Sequence, residues 1–264
     1  NQDECVLFEV SLIPGREGTY QPGQFAQYTN DDWNPGIRSL AVDASNNLWA
    51  AGYNSGNQAA RKFYLISGTD GQILTVADFS ATGHTPYGAV TDSNGVIWSS
   101  GQGYNHVLRF DPTTSPISWR RIDLPHNPYG IGADNLNHVF VSGWQSSRIS
   151  RLNSITGDIE KTIEAPYELR GIVCTADNDV WTVSTGNSRL YRYDNDLTTQ
   201  KASIPVGGGP SGVAVDTNGK LWVCDLNDEY IHRVDPATNT VELSKQIKGS
   251  SGHYSYSDMT GGVS

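Results

Sequence analysis

Hydrophobic residues along this chain fall into short runs separated by polar turns, without the stripes that mark amphipathic helices. Runs such as Leu40–Val42 and Val213–Val215 suit strands and are too short for buried helices. Pairs such as Asn94-Gly95 and Asn218-Gly219 recur between the runs, and pairs of this kind favour tight hairpins. The pattern therefore predicts an all-β fold of many short strands.

One segment repeats along the chain at a regular spacing. Residues 86–92, 128–134 and 210–216 share the pattern Pro-x-Gly-x-x-x-Asp, and residues 38–43 and 169–175 are more diverged copies. The glycine or its replacement serves as a marker at positions 39, 88, 130, 171 and 212, spaced by 49, 42, 41 and 41 residues. A period near forty residues is typical of the blades of a β-propeller.

Each marker is followed at fixed distances by the same kinds of residue. A large aromatic residue stands ten positions later, where we expect it to fill the space between adjacent blades. Arginines recur eleven positions after the aromatic residues, and aspartates recur just before the first turn, so we interpret both series as structural. The series are Trp49, Trp98, Phe140, Trp181 and Trp222; Arg109, Arg151, Arg192 and Arg233; and Asp43, Asp92, Asp134 and Asp216.

These units predict one domain, residues 1–264, folded as a six-bladed β-propeller of four-stranded blades. Five blades start near residues 38, 87, 129, 170 and 211, with segments such as 119–124 and 161–165 as outer strands. Extra residues at 54–60 predict a longer loop in the first unit. His253–Asp258 resembles a sixth first strand and Cys5–Leu12 a third strand, so we expect the closing blade to be shared by residues 253–264 and 1–30. No segment is assigned to the second strand of that blade.

Charge and composition narrow the possible partners. The formal net charge is −10 and the isoelectric point about 4.9, without any run of Lys or Arg, so we expect no nucleic-acid partner. No stretch approaches eighteen consecutive apolar residues and the sequence opens on polar residues 1–4, so we expect neither a membrane span nor a signal peptide in it. We expect a secreted or periplasmic monomer. Cys5, Cys174 and Cys224 allow at most one disulfide, and the last two are interpreted as buried small hydrophobic residues.

The repeated Pro-x-Gly-x-Ala-Val-Asp, Asn-Gly, Trp and Arg-x-Asp-Pro pattern resembles the streptogramin (virginiamycin B) lyase-like propellers and the NHL-repeat propellers. The resemblance covers residues 38–258 and implies a propeller fold, but that superfamily includes enzymes, binding modules and scaffolds. The second strand of the lyases typically reads Trp-Phe-Thr-Glu. At the corresponding positions of this sequence only Asp225 keeps a carboxylate.

Candidate ligand-binding residues stand where the inner strands would begin, because propellers commonly bind ligands at that mouth of the central channel. They are Arg38, Tyr87, Tyr129, Arg170, Ser211 and His253, with Tyr53, Gln102, Trp144 and Asp225 predicted nearby on the same face. Guanidinium, phenol, hydroxyl and imidazole groups favour a polar or anionic small molecule, a glycan or a protein partner. A structural interpretation stays open, in which each tyrosine packs over its own blade and each arginine pairs with a turn carboxylate.

Two functions follow from these residues. The favoured one is a non-catalytic propeller that binds a ligand or partner at the channel mouth. The alternative, implied by the resemblance, is a lyase in which His253 acts as general base and Asp225, with Mg²⁺, stabilises an enolate while a C–O bond breaks. The other histidines fall in loops or later strands, so the second imidazole that the resemblance requires is missing. We expect no cofactor and no metal ligands, and we leave Mg²⁺ or Ca²⁺ open, Ca²⁺ at the Asp-rich turns 177–179 and 225–229.

Overall fold

The computed structural model describes residues 5–24, 36–53, 61–250 and 252–253, and its regular structure is almost entirely β. The strands form one two-stranded sheet and five four-stranded sheets, all antiparallel, and the strands of each sheet lie side by side in chain order. A short 3-10 helix spans Ser80–Thr82. Within the described ranges no helix is long and apolar enough to cross a membrane. The all-β prediction is confirmed.

The strand bounds follow the predicted repeat. The N-terminal sheet contains β1 (Glu9–Ser11) and β2 (Gly18–Tyr20). Sheet 1 contains β3 (Ile37–Val42), β4 (Leu48–Gly52), β5 (Lys62–Ile66) and β6 (Ile73–Asp78). Sheet 2 contains β7 (Gly88–Thr91), β8 (Ile97–Ser100), β9 (His106–Asp111) and β10 (Ser118–Asp123). Sheet 3 contains β11 (Pro128–Ala133), β12 (His138–Gly143), β13 (Arg148–Asn153) and β14 (Ile159–Glu164). Sheet 4 contains β15 (Ile172–Cys174), β16 (Val180–Ser184), β17 (Arg189–Tyr193) and β18 (Gln200–Pro205). Sheet 5 contains β19 (Pro210–Val215), β20 (Leu221–Asp225), β21 (Tyr230–Asp235) and β22 (Thr240–Gln246).

The recurring aspartates hold the turn between the first two strands of sheets 1, 2, 3 and 5, as predicted. In sheet 2 the Asp92 Oδ1 atom accepts hydrogen bonds from the backbone N–H groups of Asn94 (2.8 Å) and Val96 (3.1 Å). Asp43, Asp134 and Asp216 accept equivalent pairs. Three residues after these aspartates the backbone is left-handed, with Asn46, Gly95, Asn137 and Gly219 at φ of 60°, 78°, 67° and 73°. Gly and Asn tolerate that conformation best, so the turn chemistry fixes the hairpin.

The recurring aromatic residues fill the spaces between successive sheets. Trp98, which is fully buried, packs among Val90 of its own sheet and Ile131 and Val141 of sheet 3. Trp49, Phe140 and Trp181 are buried in the same way at the other junctions. Trp222 is only half-buried, because among the described residues no core cluster joins sheet 5 to a following sheet.

The recurring arginines also have a structural role. Arg109 stands directly opposite Trp98 in the pairing of β8 with β9, so the two side chains share a face of sheet 2. The Arg109 guanidinium carbon lies 5.7 Å from the centroid of the Trp98 ring, and that of Arg192 lies 4.9 Å from the Trp181 ring. At these distances a guanidinium is attracted to the ring face. The predicted structural role is therefore confirmed for these two arginines.

The first strand of each four-stranded sheet faces the first strand of the next sheet. Strands β3, β7, β11, β15 and β19 pack against one another in that order. The fourth strands, β6, β10, β14, β18 and β22, expose most of their residues, as expected of edge strands. The predicted outer segments 119–124 and 161–165 correspond to β10 and β14. The five sheets thus follow one another with their first strands innermost.

The N-terminal sheet packs against the face of sheet 1 that points away from sheet 2. Leu12 lies in one core cluster with Ala50 and Tyr64, and the Thr19 hydroxyl donates a hydrogen bond to the Gly71 carbonyl. Strand β1 falls within the predicted strand 5–12, whereas β2 was not predicted. The predicted loop 54–60 and residues 254–258 of the predicted sixth first strand lie outside the described residues. Six blades and their closure by the termini stay predictions.

Candidate ligand-binding site

The candidate residues that precede each marker lie where the inner strands begin. Arg38 is the second residue of β3, Tyr129 the second residue of β11 and Ser211 the second residue of β19. Tyr87 directly precedes β7, and Arg170 stands two residues before β15. Because these strands are neighbours in space, the repeat brings their first residues to one end of the sheets.

Arg38 stacks on two tyrosines. Its guanidinium carbon lies 4.5 Å from the centroid of the Tyr53 ring and 5.5 Å from that of the Tyr87 ring. The two rings meet edge to face, with centroids 5.1 Å apart. Tyr53 follows the second strand of sheet 1 and Tyr87 precedes the first strand of sheet 2, so this cluster joins two sheets.

Arg170 has an equivalent environment in sheets 3 and 4. Its guanidinium carbon lies 4.7 Å from the centroid of the Trp144 ring and 5.5 Å from that of the Tyr129 ring. The Trp144 and Tyr129 rings are stacked, with centroids 5.1 Å apart and an angle of 15° between their planes. Each arginine thus contacts one ring from the start of an inner strand and one ring from the residue that directly follows a second strand.

The two clusters meet through Tyr87 and Tyr129, whose ring centroids are 5.0 Å apart. Tyr53, Tyr87, Tyr129 and Trp144 therefore form a continuous line of four rings, here called the aromatic row. Tyr87 and Tyr129 are fully buried, whereas Tyr53, Trp144 and both arginines are half-buried. The inner tyrosines form a floor, and the arginines with the outer two rings form a partly exposed rim.

Buried serine hydroxyls fix the backbone beneath the floor. The Ser100 hydroxyl accepts a hydrogen bond from the marker N–H group of its own sheet (3.0 Å) and donates one to the Tyr129 carbonyl of the next sheet (2.8 Å). The Ser142 hydroxyl makes the same bridge from sheet 3 to the Arg170 carbonyl. Both serines are buried, so the positions of Tyr129 and Arg170 are set by satisfied buried hydrogen bonds.

The remaining candidates occupy less connected positions. Ser211 is buried, and its hydroxyl lies 3.5 Å from the His253 carbonyl oxygen. The His253 Nε2 atom lies 2.6 Å from the Ser250 hydroxyl. Gln102 is half-buried in the turn after β8, the position in sheet 2 that corresponds to Tyr53 and Trp144.

Asp225, the predicted partner of His253, is bound to a different imidazole. Its Oδ2 atom lies 2.7 Å from the Nε2 atom of His232, and the His232 Nδ1 atom lies 2.8 Å from the Ser244 hydroxyl. Asp225 is fully buried, and the loop at Gly207 covers it so closely that a Cβ there would lie 2.5 Å from its Oδ2 atom. The structure thus gives Asp225 and His253 separate partners, and their joint catalytic role stays a prediction.

A similar network in sheet 3 indicates a structural role for these buried groups. There the His126 Nε2 atom lies 2.8 Å from the Ser150 hydroxyl, which lies 2.9 Å from the Thr162 hydroxyl. The repeat predicted only that His232 lies in a loop or a later strand; it lies in β21, and its bond to Asp225 was not predicted. Strand alternation could have revealed it, since Val223 pairs with His232 and Asp225 lies two residues along on the same face.

The described residues include potential metal ligands and all three cysteines. No group of three or more His, Cys, Asp or Glu side chains there is placed to hold a metal ion. In the Asp-rich turn 177–179, Asp177 and Asp179 form ion pairs with Arg192 at 2.7 and 2.6 Å. Cys5 is exposed, Cys174 buried and Cys224 half-buried. The expectations about Mg²⁺, Ca²⁺ and other cofactors stay predictions.

Three further histidines are buried and hold their rings neutral. Burial lowers the pKa of His106 and of His126 to about 4, and it holds the pKa of His84 well below the ordinary value of 6.5. The His84 and His106 ring centroids are 5.2 Å apart, so a charge on one would repel a charge on the other. Neither ring nitrogen of His106 has a hydrogen-bond partner among the described residues.

We expect these histidines to make the fold sensitive to acid. Their folded pKa values lie below the unfolded value near 6.5, so the unfolded chain binds more protons between pH 6.5 and 4. Their contribution to the free energy of unfolding is complete above pH 6.5 and falls as the pH approaches 4, by up to about 3 kcal/mol each for His106 and His126. Urea unfolding at pH 7 and pH 4.5 measures this loss. His106→Phe should stay stable at pH 7 and lose less of its free energy of unfolding at pH 4.5 than the unaltered protein. An unchanged pH dependence in this variant would contradict the role of His106 in acid sensitivity.

Comparisons with known proteins identify the fold. No protein-family model and no curated protein matches this sequence. A streptogramin B lyase structure matches with a TM-score of 0.69 at 18% identity, over 84% of this chain and 76% of that chain. Selenomethionine-substituted virginiamycin B lyase from Staphylococcus aureus matches with a TM-score of 0.70 at 21% identity, over 92% and 78%. A catalytically inactive variant of that lyase with quinupristin matches with a TM-score of 0.69 at 19% identity, over 92% and 84%.

These similarities extend over most of the chain and agree with the sheet order described above. At 18–21% identity these similarities show the fold and give no information about activity. The likeness in sequence pattern to the streptogramin lyase-like propellers is thus confirmed as a likeness in fold. This chain has the β-propeller fold of the streptogramin B lyases.

Proposed function

We propose that this chain is a non-catalytic β-propeller module that binds an anionic ligand at the mouth formed by the starts of its inner strands. The observation that carries the proposal is the pair of arginines on the rim, each stacked on two aromatic rings above a floor of buried tyrosines. The rim groups are half-buried, and they come from sheets 1, 3 and 4.

Stacked arginines are suited to holding anions. Ring contacts occupy the face of the planar guanidinium and leave donation in its plane to a carboxylate, sulfate or phosphate geometrically possible. Partial burial strengthens such charge-assisted hydrogen bonds, because the rings exclude part of the surrounding water. The four rings of the aromatic row would add apolar contact for the body of the ligand.

A lyase acting through His253 and Asp225 is the alternative, and the surroundings of these residues support it less well. Asp225 is enclosed beneath the loop at Gly207 and bonded to His232, so a substrate at the mouth has no direct route to it. A general base must come within hydrogen-bond reach of the proton that it removes, directly or through one water. The fold resemblance gives the lyase its only other support.

We further propose that the domain closes as a six-bladed ring, with residues 253–264 and 1–30 in the sixth blade. Leu40 and Val42 are 44% and 37% exposed on β3, and strand alternation turns them away from Ala41, which packs towards sheet 2. On sheet 5, Trp222 is also incompletely covered. The N-terminal sheet already packs on this side of sheet 1 through Leu12. A sixth blade would cover the exposed apolar groups of sheet 1 and would lie between the open faces of sheets 5 and 1.

Binding of matched charged and neutral probes tests the proposed function. We expect 2-naphthoate to raise the apparent melting temperature of the protein and its uncharged methyl ester to raise it far less, because ligand bound to the folded form stabilises it. Arg170→Gln should weaken 2-naphthoate binding at least tenfold by calorimetry, a loss of about 1.4 kcal/mol. Arg120→Gln, on the exposed strand β10, is the matched control and should bind normally.

Two outcomes would overturn the proposal. Equal shifts of the melting temperature with 2-naphthoate and with its methyl ester would contradict binding of an anionic ligand. Normal binding of 2-naphthoate by Arg170→Gln would contradict the assignment of the site to this arginine. Binding that requires Mg²⁺ and disappears in His253→Ala would favour the lyase instead. Each titration is therefore run with and without Mg²⁺.

A further inference from the structure

We propose that the ligand carries two anionic groups at opposite ends of a flat body, one held by Arg38 and the other by Arg170. This inference rests on the proposed function and specifies the chemistry of its ligand. The two arginines have equivalent surroundings, each with a half-buried ring at 4.5 to 4.7 Å and a buried tyrosine ring at 5.5 Å. The mouth therefore contains two matching anion-binding positions.

The aromatic row sets these positions apart. Arg38 stacks on its first two rings, Tyr53 and Tyr87, and Arg170 on its last two, Tyr129 and Trp144. Successive ring centroids along the row are 5.1, 5.0 and 5.1 Å apart, so two ring steps separate one guanidinium from the other. A single carboxylate offers two oxygens on one carbon and cannot bind bidentately at both ends.

The other residues that begin the inner strands favour the same conclusion. Tyr87 and Tyr129, between the arginines, supply ring surfaces but no charge at neutral pH, and Ser211 beyond Arg170 supplies only a hydroxyl. Among Arg38, Tyr87, Tyr129, Arg170 and Ser211, the two guanidinium groups thus stand at the two ends of the row. A ligand with a planar apolar body and an anionic group at each end matches that distribution.

Two-point binding also has a thermodynamic advantage. Once one anionic group is held, the second binds as an intramolecular step at a high effective concentration, provided that its spacing fits. We therefore expect a dianion of suitable length to bind at least tenfold more tightly than the monoanion with the same body.

Naphthalene-2,6-dicarboxylate tests this expectation, with its monomethyl and dimethyl esters as matched probes of one and zero charges. Calorimetry on the unaltered protein should rank dianion over monoester by at least tenfold, and monoester over diester. In Arg38→Gln or Arg170→Gln the dianion should bind no better than the monoester does to the unaltered protein. Arg120→Gln should leave the ranking unchanged, and the melting temperature of each variant without ligand checks its folding.

The possible results separate this inference from the proposed function. Equal affinity for dianion and monoester, both above the diester, would overturn two-point binding and leave a site for a single anion. Equal affinity for all three probes would overturn both proposals. A dianion preference that survives either arginine substitution would also overturn two-point binding by these residues. The comparison of the three probes needs no variant, so it remains decisive if a substitution prevents folding.

Discussion

Replacing Trp98 with alanine is expected to lower the free energy of unfolding by about 3 to 5 kcal/mol, the range for removing a large buried aromatic side chain. Trp98 is fully buried between sheets 2 and 3, where it contacts Ile131 and Val141. Neighbouring strands are held by their own hydrogen-bond ladders, so they cannot collapse into the cavity. Urea unfolding at pH 7 measures the loss.

The substitution also removes a buried hydrogen bond. The Trp98 Nε1–H group donates to the Asp92 Oδ2 atom at 2.8 Å, and Asp92 is buried. Burial already raises the pKa of Asp92, so loss of the indole donor raises it further. In sheet 5 the equivalent indole of Trp222 donates to Asp216 at the same distance, and there the hydrogen bond lowers the pKa of Asp216. The same contact thus occurs in two environments that differ in burial.

Trp222→Ala is therefore the matched control. Trp222 has the same position in the repeat and lies under Arg233 at 5.5 Å, but it is half-buried. We expect Trp222→Ala to lower the free energy of unfolding by no more than about half as much as Trp98→Ala, because the stabilisation by an apolar side chain follows the area that it removes from water. Equal losses would contradict the half-buried environment of Trp222, and would indicate that the proposed sixth blade covers Trp222 as fully as sheet 3 covers Trp98.

Gly130→Ala should have a comparably large effect, on both stability and binding. A Cβ at Gly130 would lie 2.5 Å from the Arg170 carbonyl oxygen and 3.0 Å from the Ile172 nitrogen, both backbone atoms of sheet 4. Backbone atoms cannot turn aside as a flexible side chain can, so sheets 3 and 4 must separate. We expect a loss of about 2 to 3 kcal/mol by urea unfolding. Binding of 2-naphthoate should weaken as well, because Tyr129 and Arg170 move with the displaced strands.

Gly186→Ala provides the comparison for that result. An added Cβ at Gly186 meets no atom within 4 Å, and its backbone does not need a positive φ. The free energy of unfolding should stay within about 0.5 kcal/mol of the original. If Gly130→Ala were equally neutral, the close approach of the inner strands could not be what positions the mouth.

The sequence predicts the sheets well because each unit repeats the same turn residues and strand markers at the same spacing. Asp92 and Gly95 specify a hairpin by turn chemistry alone, and Trp98 and Arg109 mark the next two strands at fixed spacing. Strand β2 escaped prediction, because residues 18–20 belong to no copy of the repeat. The number of blades is likewise beyond local reasoning, since closure depends on how the two ends of the chain meet.

The candidate site is only partly predictable for a related reason. Equivalent positions in the repeat correctly indicated that Arg38, Tyr87, Tyr129 and Arg170 would stand at the starts of neighbouring strands. Their stacking on Tyr53 and Trp144 depends on side-chain directions between sheets, which spacing does not contain. The pairing of Asp225 with His232 was not predicted, because the resemblance to the lyase pattern assigned Asp225 to the mouth. Strand register instead places its carboxylate next to His232, inside sheet 5.

The division between buried floor and half-buried rim has an evolutionary consequence. Tyr53 and Trp144 lie just outside the strands, where substitutions usually cost little stability, whereas the strands beneath are fixed by the Ser100 and Ser142 bridges. Ligand preference can therefore diversify through these connecting residues while the scaffold is inherited unchanged. Relatives with this fold would then differ most in what they recognise and least in how they assemble.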